Sequence, residues 1–207
     1  MPDKSDSDPR CSWCHGSELY RRYHDEEWGR PERERDALFE LISLEGAQAG
    51  LSWITILKKR EGYRELFAGF EPERVAGFSD RKLAKIAANP AIVRHRQKVD
   101  SVRTNARAIL AMEAAGDSFA GFIWSFVDDE PMQNRFRTLA EVPAVTDLST
   151  TMSRTLKARG FAFVGPTTCY AFMQAAGLVN DHLVGCPVHA ACEASGSGEG
   201  QQGSGCK

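Results

Sequence analysis

Apolar residues recur along most of this chain at the spacing of an α-helix. Residues 36–42 show the pattern of an amphipathic turn. A longer stretch from Ala91 to Ala115 carries apolar residues at Ile92, Val99, Val102, Ala106, Ile109, Leu110 and Met112. No alternation with the period of a β-strand persists. The pattern therefore predicts an all-α protein of many short helices.

Prolines, glycines and capping residues indicate where these helices begin and end. Ser79 precedes a polar run and is expected to cap a helix. One helix is expected to end at Gly160, a tight turn to pass through Gly165, and a second helix to start at Pro166. Further prolines fall between the apolar segments, at Pro31, Pro72, Pro90, Pro131 and Pro143.

Length and composition predict a single globular domain. The chain has 207 residues, of which 42% are hydrophobic and 26% charged, enough for one sizeable core. Residues 1–9 and 193–207 are poor in apolar residues, so both are expected to be disordered tails around a helical domain of residues 10–192. No apolar run approaches the ~20 residues needed to cross a bilayer, so we expect no membrane association.

Charge and cysteine content narrow the class of protein further. A formal net charge of −2 argues against a nonspecific binder of polyanions. Basic residues nevertheless gather late in the chain, so a nucleic-acid surface would be local, or these side chains would form an ordinary solvated helix face. They are Arg94, His95, Arg96, Lys98, Arg103, Arg107, Lys157 and Arg159. Six cysteines without a leader sequence predict a cytoplasmic protein with reduced thiols or a metal.

Cysteine and histidine cluster at both ends of the predicted domain. Cys11 and His24 lie near its start, and His182 and Cys186 lie near its end. Four such ligands suit a tetrahedral, structural zinc ion that would join the two ends. Spacing alone does not choose among neighbouring candidates, which are Cys14, His15, His189 and Cys192. Cys11, Cys14 and His15 also match the Cys-x-x-Cys-His pattern of covalent haem attachment, so a c-type haem protein is an alternative.

Aromatic residues are concentrated in a short polar segment between Cys11 and Gly29. Aromatic rings with polar edges make good walls for a flat heterocycle, whereas a segment that builds a core would use Leu, Ile and Val. The alternative is that these rings simply cover a small core. The four residues are Trp13, Tyr20, Tyr23 and Trp28.

Glu45 stands in an apolar neighbourhood and needs a partner there. It would either form a structural bridge with an arginine or face a pocket and hold a ligand, with Gln48 on the same side of the helix. Farther along, the backbone N–H groups of the helix starting at Pro166 would form an anion site for a DNA phosphate. A plain helical corner in the core would share that pattern.

Several long strings in the chain resemble the bacterial 3-methyladenine DNA glycosylase I proteins, which belong to the helix-hairpin-helix superfamily. They are Cys11-Ser12-Trp13, YRRYHDEEWG (20–29), LEGAQAGLSWITILKKR (44–60), IVRHRQK (92–98), FIWSFV (122–127) and LKARGFAFVGPTTCYAFMQAAGLVNDHLVGC (156–186). The resemblance covers nearly everything but the tails. It implies a helix-hairpin-helix DNA glycosylase fold and removal of 3-methyladenine from alkylated double-stranded DNA.

The resemblance also implies roles for particular residues. Zinc would be held by Cys11, His24, His182 and Cys186, leaving the neighbouring candidates as bystanders. The base, flipped out of the duplex, would contact Glu45, Tyr23 and Trp53, with Trp13, Tyr20 and Trp28 completing an aromatic pocket. We expect Glu45 to be ionised there and to accept hydrogen bonds from the cationic lesion. Asp181 lies near the position of the superfamily's catalytic aspartate, but it adjoins a presumed zinc ligand and receives no such role.

For DNA binding, Gly165, Thr167 and Thr168 are expected to hold a phosphate, and Gly50 and Leu51 are the candidate wedge near the gap left by the flipped base. The alternative is that Leu51 belongs to the core. Thr167 stands where bifunctional relatives carry a lysine, so base removal without strand cleavage is expected. Phe163 replaces the first glycine of the usual hairpin, which puts the phosphate or ion contacts of that turn in question. The products would include free 3-methyladenine, and the protein is taken to be a monomer. A noncatalytic module that binds damaged DNA is the remaining alternative.

Overall fold

The computed structural model describes residues 8–196, and helices dominate this part of the chain. Two strands of two residues each accompany the helices. The prediction of an all-α protein of many short helices is confirmed apart from these strands. The helices are α1 (Glu18–Glu26), α2 (Arg35–Gln48), α3 (Trp53–Leu57), α4 (Arg60–Leu66), α5 (Pro72–Ala76), α6 (Asp80–Ala88), α7 (Arg96–Ala114), α8 (Phe119–Trp124), α9 (Asp147–Ala158), α10 (Pro166–Ala175) and α11 (Pro187–Gly196). Single 3₁₀ turns lie at Ser12–Cys14, Ala68–Phe70, Ser125–Val127 and Leu139–Glu141.

The predicted disordered tails fall mostly on residues 1–7 and 197–207, which lie outside the described residues. At the carboxyl end, α11 continues to Gly196, past the predicted domain boundary at Cys192. The helical part of the chain is therefore longer at this end than its composition indicated.

Helix α2 lies at the centre of the core. Its residues from Leu38 to Ala47 are all buried, including the carboxylates of Glu40 and Glu45. A helix that is largely apolar on every side is stable only when neighbours surround it, and α3, α7, α8 and α10 pack against α2. This arrangement carries Glu45 into the interior.

Helices α9 and α10 pack against each other and are joined by residues 159–165. Thr146 and Ser149 form a reciprocal capping box at the start of α9. Gly160, with φ +90°, ends that helix, and Pro166 occupies the first turn of α10, both as predicted. Gly46 of α2 touches the turn, because a Cβ there would lie 3.3 Å from the Phe163 Cβ. The absence of a side chain at Gly46, next to Glu45, therefore permits the close approach of this turn to α2.

The longest helix described, α7, begins later than the apolar pattern indicated. It starts at Arg96 rather than near Ala91, because His95 caps it and accepts a hydrogen bond from the Lys98 backbone N–H at 3.3 Å. Ser79 caps α6 in the same way, as predicted. Among residues 8–196, no helix combines the length and apolar character needed to cross a membrane.

Two strands that the sequence analysis missed join distant segments. β1 (Met132–Gln133) pairs in parallel with β2 (Val179–Asn180), Met132 opposite Val179. Each strand has only two residues, too few to show an alternating pattern. The pair fixes the segment before Asp181 and His182 against the middle of the chain.

Candidate functional site

A cavity of about 240 Å³ lies among α1, α2, α3 and α10. All six residues predicted for the base pocket line it. Six further residues do so as well, of which only Gln48 was anticipated from the sequence. The complete lining is Trp13, Tyr20, Tyr23, Trp28, Glu45, Gln48, Trp53, Leu139, Val142, Ala171, Gln174 and Asp181.

The aromatic wall comes from three neighbouring pieces of chain. Trp13 lies in the first 3₁₀ turn, with its ring centroid 5.0 Å from that of Tyr20 and 5.0 Å from that of Trp28. Tyr23 lies three residues after Tyr20 in α1, and its ring is 5.5 Å from that of Trp53, the first residue of α3. The Ser17 side chain caps α1 and thereby fixes the start of the helix that carries Tyr20 and Tyr23. The rings support one another around the cavity.

Glu45 enters the cavity from α2 with its side chain almost fully buried. Glu45 is 5% exposed, and its carboxyl group accepts no hydrogen bond and forms no ion pair with any described residue. Burial raises the pKa of its carboxyl to about 8. Burial therefore favours the protonated carboxyl at neutral pH, and the ionisation of Glu45 in contact with a cationic lesion stays a prediction.

Two more polar atoms beside the cavity are buried without a partner among the described residues. They are the Tyr23 hydroxyl and the Trp53 Nε1–H. Buried polar groups are ordinarily hydrogen-bonded, and an exception needs an explanation. Both belong to side chains that line the cavity, so a polar ligand placed there would supply the missing partners.

Asp181 also lines the cavity, but its carboxylate already has three hydrogen-bond partners. It accepts hydrogen bonds from Asn134 Nδ2 at 2.6 Å, from the Tyr170 hydroxyl at 2.6 Å and from Gln174 Nε2 at 2.8 Å. Gln174 and Asp181 were not predicted as site residues. Asp181 had been set aside because of its neighbour in sequence, and nothing in the residue pattern linked it to Gln174.

Next to the aromatic wall, Cys11, His24, His182 and Cys186 form a buried cluster. Their ligating atoms all lie within 4.8 Å of one another. His24 Nε2 is 3.5 Å from the Cys186 sulfur, and His182 Nδ1 is 3.9 Å from the Cys11 sulfur. The fold therefore brings together the four residues that the resemblance implied.

In each histidine of the cluster, the ring nitrogen that faces outward contacts an oxygen atom, as is usual for histidines that bind metals. His24 Nδ1 contacts the Asp25 carboxylate at 2.7 Å, and His182 Nε2 contacts the Trp28 carbonyl oxygen at 2.9 Å. These contacts leave His24 Nε2 and His182 Nδ1 facing inward. A hydrogen bond from the Cys11 thiol lowers the pKa of Cys186 and favours its thiolate, the form that binds metals. The donor set and its surroundings fit a zinc ion.

The neighbouring candidate ligands lie outside this cluster. Cys14 and Cys192 are buried nearby, and His189 Nε2 contacts the Asn134 carbonyl oxygen at 2.9 Å instead. His15 Nε2 is 3.9 Å from the Asp8 carboxylate. Because Cys11 turns toward His24 and His182, the structure gives no support to haem attachment through Cys11 and Cys14.

The residues implied for the DNA wedge form an exposed turn after α2. Gly50 has φ +83°, a conformation that favours glycine, and Leu51 is 39% exposed. Gln48 Nε2 donates to the Leu51 carbonyl at 2.6 Å. Lys98 Nζ donates to the carbonyls of Ala47 at 2.9 Å and Ala49 at 2.6 Å. The turn is thus braced from the cavity side and from α7.

The residues implied for phosphate binding lie at the start of α10. Gly165 precedes the helix without a side-chain cap, Thr167 is exposed and Thr168 is half-buried. Asn105 of α7 holds the preceding turn by bonding both the N–H and the carbonyl of Ala162, at 2.8 and 3.1 Å. The basic start of α7 lies between the two turns, because the His95 ring is 6.3 Å from that of Phe163 and Lys98 binds the turn at Gly50.

A protein-family model described as methyladenine glycosylase matches residues 13–190, which is most of the chain. The chain belongs to this family. The family match spans every residue that lines the cavity and three of the four residues of the metal-type cluster, all except Cys11. The relationship inferred from the motifs is thereby confirmed.

Individual relatives agree with the family assignment. DNA-3-methyladenine glycosylase 1 of Escherichia coli (strain K12) is 51% identical over 177 residues, covering 86% of this chain and 95% of that protein. A crystal structure of 3-methyladenine DNA glycosylase I has a TM-score of 0.85 at 52% identity, covering 87% of this chain and 99% of that one. A tyrosine-to-phenylalanine variant of such an enzyme, solved with 3-methyladenine, has a TM-score of 0.83 at 40% identity, with coverages of 86% and 95%. The fold is that of these glycosylases.

Proposed function

We propose that this protein is a DNA repair glycosylase that hydrolyses the N-glycosidic bond of 3-methyladenine in alkylated DNA. The observation that carries the proposal is the pairing of an aromatic cavity with a buried, unpartnered carboxyl group, Glu45. The family assignment supports it, as does the 3-methyladenine bound to a structural relative.

The size and lining of the cavity suit one methylated nucleobase. Its volume of about 240 Å³ is below that of most pockets for drug-sized ligands, and its walls are rings that can stack on a flat heterocycle. A base inside a duplex cannot reach such a cavity, so the nucleotide must be flipped out of the helix. Methylation at N3 makes adenine cationic, and aromatic faces attract cations.

The positive charge of the lesion also simplifies the chemistry. When the bond between C1′ and the base nitrogen breaks, its electron pair passes to the cationic base, which leaves as neutral 3-methyladenine. Water adds at C1′ and releases its proton. The leaving group therefore needs no protonation by the enzyme, and recognition of the lesion contributes a large part of catalysis.

Glu45 gives the cavity its selectivity for this charge. Burial raises the pKa of its carboxyl group to about 8 and so favours the protonated form at neutral pH. A cationic base brought alongside favours the ionised form and gains an ion pair in a site with little water. Neutral adenine offers no such gain, and its glycosidic bond is stronger, so normal DNA is left intact.

The reaction stops at base removal. A glycosylase that also cleaves the strand uses an amine to form a Schiff base with the sugar. Thr167 stands at the position that would carry this lysine, and no described residue lining the cavity is a lysine. The protein is therefore a monofunctional glycosylase.

The α9–α10 pair acts as the helix-hairpin-helix that binds the DNA backbone. The N–H groups at the start of α10, from Gly165 to Thr168, bind a phosphate, aided by the helix dipole. Leu51, exposed on its braced turn, fills the gap left by the flipped base. Arg94 and Lys157 are exposed basic residues available to further phosphates.

A structural zinc ion is bound by Cys11, His24, His182 and Cys186. All four residues are buried. Four protein ligands fill a tetrahedral zinc site and leave no position open for substrate, as in structural sites. The ion would connect the first 3₁₀ turn and α1 to the segment after β2. Because His182 contacts the Trp28 carbonyl and ring, the ion would also stabilise the aromatic wall.

One copy of the chain provides the whole cavity and the cluster, so the proposed enzyme works as a monomer. Its substrate would be chromosomal double-stranded DNA. This assigns it to the cytoplasm of a bacterial cell, the compartment expected from the sequence.

Chromatography of the bases released from methylated DNA tests the proposal. Wild-type protein should release 3-methyladenine and almost no 7-methylguanine. Glu45→Gln should reduce the rate by about 100-fold, since hydrogen bonds to a charged group contribute ~1.5–3 kcal/mol each. Glu65→Gln, an exposed change on α4, is the matched control and should act as wild type. Equal release by Glu45→Gln would remove Glu45 from the mechanism.

The same assay separates the enzyme from a noncatalytic module, which would bind methylated DNA and release no base. The DNA-binding surface is tested separately by replacing Arg94, Arg96 and Lys157 with alanine one at a time. Each replacement should weaken binding to every duplex and flatten the dependence of affinity on salt. Arg96, already paired with Asp100 at 2.8 Å, should show the smallest effect, and unchanged affinity in all three would exclude this surface.

A further inference from the structure

Gln174 is a polar residue of the cavity wall that takes no part in the proposed mechanism. It lies in the last turn of α10, is half-buried and lines the cavity together with Asp181. Its side-chain Nε2 donates to Asp181 Oδ2 at 2.8 Å. Its Oε1 accepts no hydrogen bond from any described residue.

Asp181 determines which end of the Gln174 amide faces the cavity. Its carboxylate is 1% exposed and already accepts hydrogen bonds from Asn134 and Tyr170. A carboxylate only accepts hydrogen bonds, so the amide nitrogen of Gln174 must point to it. The carbonyl oxygen on the same carbon then points away from Asp181. Because Gln174 lines the cavity, this oxygen is the end of its amide left free to accept a hydrogen bond from a ligand.

The backbone around Gln174 is also held in place. Its carbonyl accepts a hydrogen bond from the Gly29 N–H at 3.0 Å, which ties α10 to the residue after Trp28. Gly177, two residues beyond the helix, allows this contact because any Cβ there would lie 2.2 Å from the Arg30 carbonyl carbon. The acceptor therefore keeps its position relative to the Trp28 wall.

We propose that Gln174 is a specificity-determining residue whose Oε1 accepts an N–H from the exocyclic amine of the flipped base, and that Asp181 is its positioning residue. This inference depends on the proposed function. Adenine carries an amine at C6, whereas guanine and hypoxanthine carry an oxygen there. Two oxygens facing each other share no hydrogen, so the acceptor disfavours the oxo bases. Glu45 responds to the charge of the lesion, and Gln174 responds to its amine.

Binding of two free bases to the full-length, zinc-loaded protein tests the assignment. The bases are 3-methyladenine and 3-methylpurine, which has hydrogen in place of the amine, and binding is followed by tryptophan fluorescence or calorimetry. Gln174→Met keeps the length of the side chain but removes the acceptor. It should weaken 3-methyladenine binding by about tenfold, the effect of one buried hydrogen bond, and change 3-methylpurine binding by less than about twofold.

A structural role for Gln174 would give a different result. Met173→Leu, a buried change at the adjacent position that does not touch the cavity, is the control for packing of α10 and should leave the ratio of the two affinities as in wild type. If Gln174→Met weakens both bases equally, or neither, the specificity role is overturned. Gln174→Ala gives the same comparison should the methionine variant fail to fold. Wild-type protein that releases no 3-methyladenine from methylated DNA would instead overturn the proposed function.

Discussion

Glu45 and Asp181 are two buried carboxyl groups on the wall of one cavity, but their surroundings differ. Asp181 accepts three hydrogen bonds from described side chains, whereas Glu45 accepts none and has its pKa raised to about 8 by burial. Removing a carboxylate from water without compensation is costly, and a fold keeps such a group only for a reason. The contrast separates a residue that organises the cavity from one that is left for a ligand.

The tyrosines beside these two carboxyl groups repeat the contrast. The Tyr170 hydroxyl donates to Asp181 at 2.6 Å, while the Tyr23 hydroxyl is buried without a described partner. In the cysteine and histidine cluster, some side-chain atoms have partners among the described residues and others are available to a metal ion. Its outer atoms are bonded to Asp25 and Trp28, and its inner atoms face one another as metal ligands do. Both Glu45 and the Tyr23 hydroxyl, which lack described partners, therefore lie on the cavity wall where a ligand is expected.

The largest effect should follow from loss of a ligand in the cluster. Cys186→Ala should abolish zinc binding and lower the free energy of unfolding by about 5 kcal/mol, because a structural zinc ion can contribute ~10 kcal/mol or more. Metal analysis and urea unfolding measure the two effects. Cys192→Ala, a buried cysteine outside the cluster, should keep the zinc and lose only packing energy. A zinc-free wild-type protein of unchanged stability would contradict the proposed site.

The next effect concerns Glu45 and the pH dependence of stability. Burial raises its pKa from 4.5 to about 8, so between these values the folded protein keeps a proton that the unfolded chain has lost. Stability from this group is present below pH 4.5, decreases as the pH rises, and is lost above pH 8. The total change is up to ~5 kcal/mol, at ~1.4 kcal/mol per pH unit.

Urea unfolding of ligand-free protein across this pH range measures the contribution. The Glu45→Gln variant has no carboxyl group at this position to titrate, so its free energy of unfolding should decline less with rising pH than that of wild type. Glu65→Gln removes an exposed carboxyl group and should follow the wild-type curve. Identical slopes for wild type and Glu45→Gln would show that Glu45 has a partner in the folded protein.

A smaller loss of stability should follow from removing the other carboxyl group. Asp181→Ala leaves the donors of Asn134, Tyr170 and Gln174 without their acceptor, and should cost about 3 kcal/mol in the free energy of unfolding. Asp181→Asn retains one acceptor oxygen and should cost less. Metal content is measured alongside, since His182 is the next residue. Wild-type stability in Asp181→Ala would show that these bonds contribute nothing.

The sequence predicted the half of the cavity that comes from nearby residues. Trp13, Tyr20, Tyr23 and Trp28 lie within one short segment, and Glu45 stood out as a carboxyl group among apolar residues. Both signals are local, and the structure places all five residues around one cavity. The helical character and the cap at Ser79 were predictable for the same reason.

The other half of the cavity depends on contacts between distant segments. Gln174 and Asp181 meet because β2 follows α10 closely, and Asn134 reaches Asp181 only because β1 pairs with β2. Leu139 and Val142 come from an irregular stretch with no clear periodicity. The raised pKa of Glu45 depends on burial by neighbouring helices and not on adjacent residues, so the sequence alone did not predict it.

The smallest expected difference separates the two tyrosines. Tyr170→Phe removes a donor to Asp181 and should lower the free energy of unfolding by about 1 kcal/mol, the usual contribution of one hydrogen bond. Tyr23→Phe removes a hydroxyl that has no described partner, so stability should stay within about 0.5 kcal/mol of wild type or rise slightly. Both tyrosines are buried, at 3% exposure each, so the loss of ring packing is matched. Thermal unfolding of the two variants at one pH measures the difference, and an equal loss in both would mean that the Tyr23 hydroxyl is hydrogen-bonded in solution.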